Sequence, residues 1–131
     1  MSYCGFVITV DKLRKHPNAD RLQLLTVFGT DVCVGLDVAV GDTGIYFPCD
    51  GQLTARFCEE NHLCTHNLNG EKDSGYMDPK KRNIKAIKLR GEKSDGLFVP
   101  LKAIAYTGVN LNEIKVGDHI TELNGHEICR K

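Results

Sequence analysis

The chain has no tryptophan, only two methionines and four prolines, and aromatic residues make up just 7% of it. That scarcity argues against a single-strand binder that works by stacking bases on exposed rings. Long apolar runs are missing too. None approaches the ~18 residues of a membrane-spanning segment, so no membrane partner is expected. The opening MSYCGFVITVDK has no basic stretch leading into an apolar one, which predicts no secretory signal. Net charge is also lacking, because 17 Lys and Arg balance 17 Asp and Glu. A bulk polycation is excluded; a local basic patch offset by acid elsewhere is not. At 131 residues the chain is one domain's worth of sequence. A core of that size buries roughly two thirds of the unfolded surface and needs no disulfide or metal.

The six cysteines, Cys4, Cys33, Cys49, Cys58, Cys64 and Cys129, read as reduced thiols of an intracellular protein, cytoplasmic or nuclear. Cys58, His62, Cys64 and His66 form a C-x3-H-x-C-x-H cluster. Structural zinc sites usually show paired Cys-x2–4-Cys knuckles, and none is present, so no metal site is expected. His16, His119 and His126 stand alone and read as turn or surface histidines.

The apolar pattern is short and strand-like. Strands are expected at residues 6–10, 22–28, 31–35, 43–48, 83–89 and 96–100, with a last one inside 114–123. Gly29–Thr30–Asp31 reads as the hairpin turn between two of them. Residues 54–63 are the best helix, with Thr54 as N-cap and Phe57 and Leu63 on one face. A second short helix is expected over 102–106. Residues 65–82 form a polar stretch of a length that is usually functional or disordered inside a compact domain. Apolar parity changes between Ala86 and Ile87, the pattern a bulge produces. Together these features predict an all-β fold, an OB-fold-like small barrel with an interior helix and a long polar loop. A sandwich is the alternative.

The charge map is uneven. Lys80, Lys81, Arg82, Lys85, Lys88, Arg90 and Lys93 face only one acid, Glu92, within residues 80–93. Such a stripe attracts phosphates, because each ion pair releases counterions condensed on a nucleic-acid backbone. A lysine-guarded edge strand gives the same composition. Arg14, Lys15 and Arg21 form a candidate second edge.

Motifs favour the first reading. His16–Pro17–Asn18–Ala19–Asp20–Arg21–Leu22 resembles the start of the second strand in OB-fold tRNA-binding domains and in the N-terminal domain of certain RNA ligases. The segment from Arg90 to Leu97 (RGEKSDGL) resembles the R-G-x-x-S-x-G-[LM] turn the two groups share; Gly91 and Gly96 suit a tight hairpin, and Ser94 is expected to bond the turn backbone. The ligase branch matches further. Gly41–Asp42 with Tyr46 and Pro48 is similar to its GD-x-x-x-Y-x-P strand, and Phe57 to Leu63 to its F-x-x-E-N-x-L helix. Tyr76 to Gly91 resembles the ligase loop that leads into the basic strand. The ending from Val116 to Gly125 resembles the junction before the ligases' nucleotidyltransferase domain.

The resemblance implies an OB-fold nucleic-acid-binding domain over residues 1–124 and the start of a linker over 125–131. It implies the N-terminal module of an ATP-dependent, nick-sealing RNA ligase, with nicked duplex RNA or RNA/DNA hybrid and its own C-terminal ligase domain as partners. ATP and Mg would belong to that ligase domain, with no cofactor in this chain. Lys80, Lys81, Arg82, Lys85, Lys88, Arg90, Arg14, Lys15 and Arg21 are then the nucleic-acid-binding residues. Lys93 to Gly96 spells K-x-D-G, the signature of lysyl-AMP chemistry. That chemistry needs metal-binding carboxylates and a further phosphate-binding lysine from a larger domain, so no catalytic residue is assigned here. A free-standing tRNA-binding module and an OB-like protein–protein adaptor are the alternatives.

Overall fold

The computed structural model describes residues 3–131. Its first strands are β1 (Gly5–Thr9), β2 (Lys12–Lys15), β3 (Leu22–Val27), β4 (Thr30–Gly35), β5 (Thr43–Phe47) and β6 (Gln52–Leu53), followed by the helix α1 (Ala55–Glu60). After the polar stretch come β7 (Ile87–Leu89), β8 (Glu92–Ser94) and β9 (Leu97–Pro100), then 3₁₀ helices at Leu101–Thr107 and Leu111–Glu113. Four two-residue strands finish the chain: β10 (His119–Ile120), β11 (Glu122–Leu123), β12 (His126–Glu127) and β13 (Cys129–Arg130). The result is a small all-β, OB-like fold.

Its centre is an antiparallel sheet in the order β10-β1-β5-β9. Successive side chains of a strand point to opposite faces, so register decides what each face holds. Val7, Ile45 and Val99 are partners across three strands. They join Phe47, Leu53, Phe57, Ile104 and Ile128 in one core beneath α1. On the other face His119, Phe6, Tyr46 and Phe98 form a single row across all four strands. That face packs with Ile8, Val10, Leu25, Val32 and Val34 against the β2-β3-β4 sheet. Burial on both faces explains why the strands read as continuous apolar runs rather than strict alternation.

Thr54 caps α1 as expected, its hydroxyl accepting from the Phe57 N–H at 3.3 Å. Losing such a cap costs about 1 kcal/mol. The helix stops at Glu60 rather than running to residue 63. The β3–β4 turn is Phe28–Gly29, with Val27 paired to Thr30, one residue earlier than the expected turn. Phe28 sits at φ +49° with its ring edge-on to Phe6 and Tyr46.

The expectations for residues 83–89 are corrected. Residues 83–89 do not form one strand. Ile84 bonds the edge at residues 50–51, its N–H donating to Gly51 O at 2.9 Å and its carbonyl accepting from the Asp50 N–H at 2.9 Å. From Ile87 onward the chain pairs with β8 instead. The parity change at Ala86, which is exposed, is therefore a change of partner and not a bulge. The polar stretch is organised by a Cys64–Met77 bridge, a His66–Lys72 bridge and the Asn67 side chain, which accepts from the N–H groups of Asn69 and Glu71. At the far end, residues expected to open a linker carry β12 and β13. Ile128 and Cys129 are buried there, and β13 pairs with β6.

Candidate nucleic-acid interface

β7 and β8 form a hairpin closed by the two-residue turn Arg90–Gly91, both at positive φ (+48° and +89°). This is the turn that matches the natural twist of a hairpin, and glycine at its second position supplies the left-handed conformation without strain. Arg90 is less at ease there and is held from outside. The Asn18 amide donates to the Arg90 carbonyl at 2.8 Å. His16 does the same for the neighbouring residue. The Asn18 N–H donates to His16 Nδ1 at 3.0 Å, which leaves the ring proton on Nε2 to donate to the Leu89 carbonyl at 2.8 Å. His16 is 1% exposed. It is therefore no isolated surface histidine but a buried clamp. The two motifs that stand apart in sequence are one structural unit, the first holding the backbone of the second.

The clamp puts positive charge together at the hairpin tip. Arg21 and Arg90 line a common recess of about 320 Å³ with Asp20. Lys88 stands directly opposite Lys93 across the β7–β8 ladder. Like charges so placed destabilise a sheet, a cost that the Asp95 carboxylate beside Lys93 offsets in part. Lys81 and Lys85 lie at the other end of β7, beside a second recess. Lys80 is exposed on the turn before them, and Lys15 is exposed on β2 opposite Gln23.

Two of the anticipated basic residues are engaged with the protein itself. Arg82 sits at φ +50° and donates to the carbonyls of Leu53 at 2.9 Å, Pro79 at 2.8 Å and Lys80 at 3.2 Å. It ties the end of the polar stretch to the residue before the α1 cap. Arg14 pairs with Asp31 at 2.9 Å and with Glu92 at 3.5 Å. The Thr26 hydroxyl, helped by Arg14, holds the Asp31 carboxyl below the ordinary carboxylate range against the effect of partial burial. Arg14 thus balances acid between the hairpins instead of extending the positive surface.

The K-x-D-G string has a defined geometry. Ser94 does not bond its own turn. It is buried and accepts the Cys33 N–H at 2.9 Å, stitching β8 to β4. Asp95 donates its N–H to Asp31 O at 2.8 Å, and its carboxylate accepts the Thr30 hydroxyl at 2.7 Å. Its carbonyl accepts the Tyr46 hydroxyl at 2.8 Å, and burial pushes that phenol up to about 12. Gly96 lies at φ +95°, and a Cβ there would stand 2.6 Å from the Phe47 carbonyl oxygen. Lys93 points outward, its ammonium 3.6 Å from the Asp95 carboxylate.

The Cys/His cluster is not gathered into one site. Cys58 and Cys64 are buried neighbours whose thiols burial pushes up. His62 turns away to the Asp73 carboxylate at 3.1 Å, and His66 to the Thr65 hydroxyl at 3.1 Å. Among the described residues no group of three or more His, Cys, Asp or Glu side chains is placed to hold a metal, and no helix is long and apolar enough to cross a membrane.

No protein-family model and no curated protein matches the chain. Solved structures do. A variant of Naegleria gruberi RNA ligase with ATP and Mn superposes with a TM-score of 0.66 at 20% identity, over 99% of this chain and 35% of that one. The fold is shared with part of an RNA ligase. A second variant of that ligase with ATP and Mn gives a TM-score of 0.64 at 20% identity, over 91% of this chain and 33% of the other. An apo variant gives 0.61 at 20% identity, over 90% and 32%. The chain thus spans about a third of the length of the ligase structures it matches.

Sequence reasoning missed the clamp made by His16 and Asn18. The signal was available in the HPNADRL string, whose histidine and asparagine have no obvious duty in a solvated turn.

Proposed function

We propose that this domain is the nucleic-acid-binding module of an ATP-dependent RNA ligase, holding nicked duplex RNA or an RNA/DNA hybrid while a separate nucleotidyltransferase domain seals the strand. The observation that carries the reading is the clamped basic hairpin. Lys88 faces Lys93, and Arg90 and Arg21 share a recess, a cluster of four cations that Asp95 beside Lys93 and Asp20 beside Arg21 offset only in part and that phosphates lying over it would neutralise. The likeness to an RNA ligase supports the choice of substrate class. Lys88, Arg90, Arg21 and Lys85 contact the phosphates in this reading, Lys80, Lys81 and Lys15 extend the surface, and Arg14 and Arg82 position the loops beneath them. Contacts of that kind are made to backbone, not to base edges, so they confer register without sequence preference.

The test is binding of nicked RNA duplex against tRNA over a salt series. Lys85→Ala, Lys88→Ala and Arg21→Ala should each shrink the log–log salt slope by about one unit. Stronger retention of tRNA would favour a tRNA-binding module. A triple variant that melts normally and binds unchanged would leave the hairpin a solvated edge and favour a protein adaptor.

A further inference from the structure

At the base of the β7–β8 hairpin, opposite its basic tip, a recess of about 270 Å³ opens to solvent. Ile84 and Ile87, with Met77 and Leu97, line it as an apolar surface, Tyr76 stands beside them, and Asp78, Lys81, Asn83 and Lys85 complete its lining. Tyr76 is 60% exposed although it lies against this apolar surface. Small-molecule sites run from about 300 to 1,000 Å³. The recess is therefore at the lower limit, with room for one base and its sugar and none for a duplex or a helix. Two lysines against the single carboxylate of Asp78 leave the recess net positive, which makes a purely apolar occupant a poor match and favours one that carries negative charge.

We propose that this recess takes a single unpaired nucleotide. The base stacks on Tyr76 over Ile84 and Ile87, its phosphate lies on Lys81 and Lys85, and the Asn83 amide meets the edge of the base. The inference rests on the nucleic-acid reading above and adds a second kind of contact to it. The tip at Arg90 and the recess at Ile87 are three residues apart, about 10 Å along a strand. A backbone lying over Lys88 and Arg90 therefore reaches the recess with its next residues. Overall aromatic content is low, and this site needs only one ring.

The shared chemistry is a nucleobase bearing a phosphate, which a strand end or a free nucleotide can supply. Three probes separate the sources: a blunt RNA duplex, the same duplex with one unpaired 2-aminopurine at its 3′ end, and AMP alone. The overhang duplex should bind more tightly than the blunt one, with quenched 2-aminopurine fluorescence. Tyr76→Ala should abolish that gain, a loss of about 5- to 150-fold, and leave blunt-duplex affinity unchanged. Tyr76→Phe should keep it, which guards against a folding defect. AMP binding that depends on Tyr76, without an overhang gain, supports the recess and assigns it to free nucleotide. An overhang that binds no better than the blunt duplex, with AMP silent, overturns the recess while the hairpin reading stands. Failure of all three probes overturns both.

Discussion

Replacing His16 with alanine tests whether the first motif exists to hold the second. The side chain is 1% exposed and makes bonds of 3.0 Å to the Asn18 N–H and 2.8 Å to the Leu89 carbonyl. Each bond contributes about 1 kcal/mol net. The vacated volume and the newly unpaired carbonyl add about another 1 kcal/mol. The expected loss is therefore about 3 kcal/mol, or roughly 12 °C in Tm at ~4 °C per kcal/mol for a domain of this size. A domain with an ordinary stability reserve remains folded. Asn18→Ala removes one exposed bond and should cost under about 1 kcal/mol. Urea unfolding gives the free energies, and amide exchange over residues 88–94 reports the hairpin directly. The hairpin amides should exchange faster in His16→Ala at temperatures where β1 and β5 stay protected. RNA affinity should fall by a factor that does not multiply with that of Arg90→Ala, since both act on one tip. A His16→Ala protein that loses less than about 1 kcal/mol, with hairpin exchange and binding unchanged, would refute the clamp.

Lys88→Glu sets an acid against Lys93. It should raise stability by a few tenths of a kcal/mol to about 1 kcal/mol while weakening RNA binding, and a melt paired with a binding isotherm shows whether the two move in opposite directions. Gly96→Ala should cost about 3 kcal/mol or more, from left-handed strain and the clash with the Phe47 carbonyl, read from the urea midpoint. Asp31 is held below its ordinary range by Thr26 and Arg14. Its folded-state pKa is lowered, so its stabilisation is complete above the unfolded value near 3.9 and lost as pH falls through the lower folded one. Melts between about pH 5 and pH 2 should show that loss, and Asp31→Asn should show less of it over the same window.

Much of the fold was legible in the sequence because the central strands are buried on both faces. Val7 and Ile8, or Ile45 and Tyr46, give runs that no half-exposed strand requires. The Thr54 cap was legible because capping is local chemistry. Partner exchange was not. Ile84 and Ile87 look like one strand, since a chain's change of neighbour between Gly51 and β8 leaves no mark except a parity break. At the site, the basic residues were countable, but which of them are free was not. Arg82 is turned inward by carbonyls of Leu53, Pro79 and Lys80, and Arg14, though half-exposed, is paired with the acids Asp31 and Glu92. Those partners depend on tertiary placement alone.

The closure of β1 on β10 and of β6 on β13 has a consequence for how the molecule is made. Each pairing joins residues far apart in the chain, so neither can form early and both pay a large loop-closure entropy before any reward. A nascent chain emerging from its N-terminus holds Val7, Leu53 and Phe57 ready, yet Ile120 and Ile128 arrive last to cover them. Synthesis interrupted before Ile128 leaves β6 an open, apolar edge, the kind of surface that invites aggregation and proteolysis. Folding of this domain is thus completed from its C-terminal strands: until β10 and β13 are in place, β1 and β6 each keep an unpaired edge.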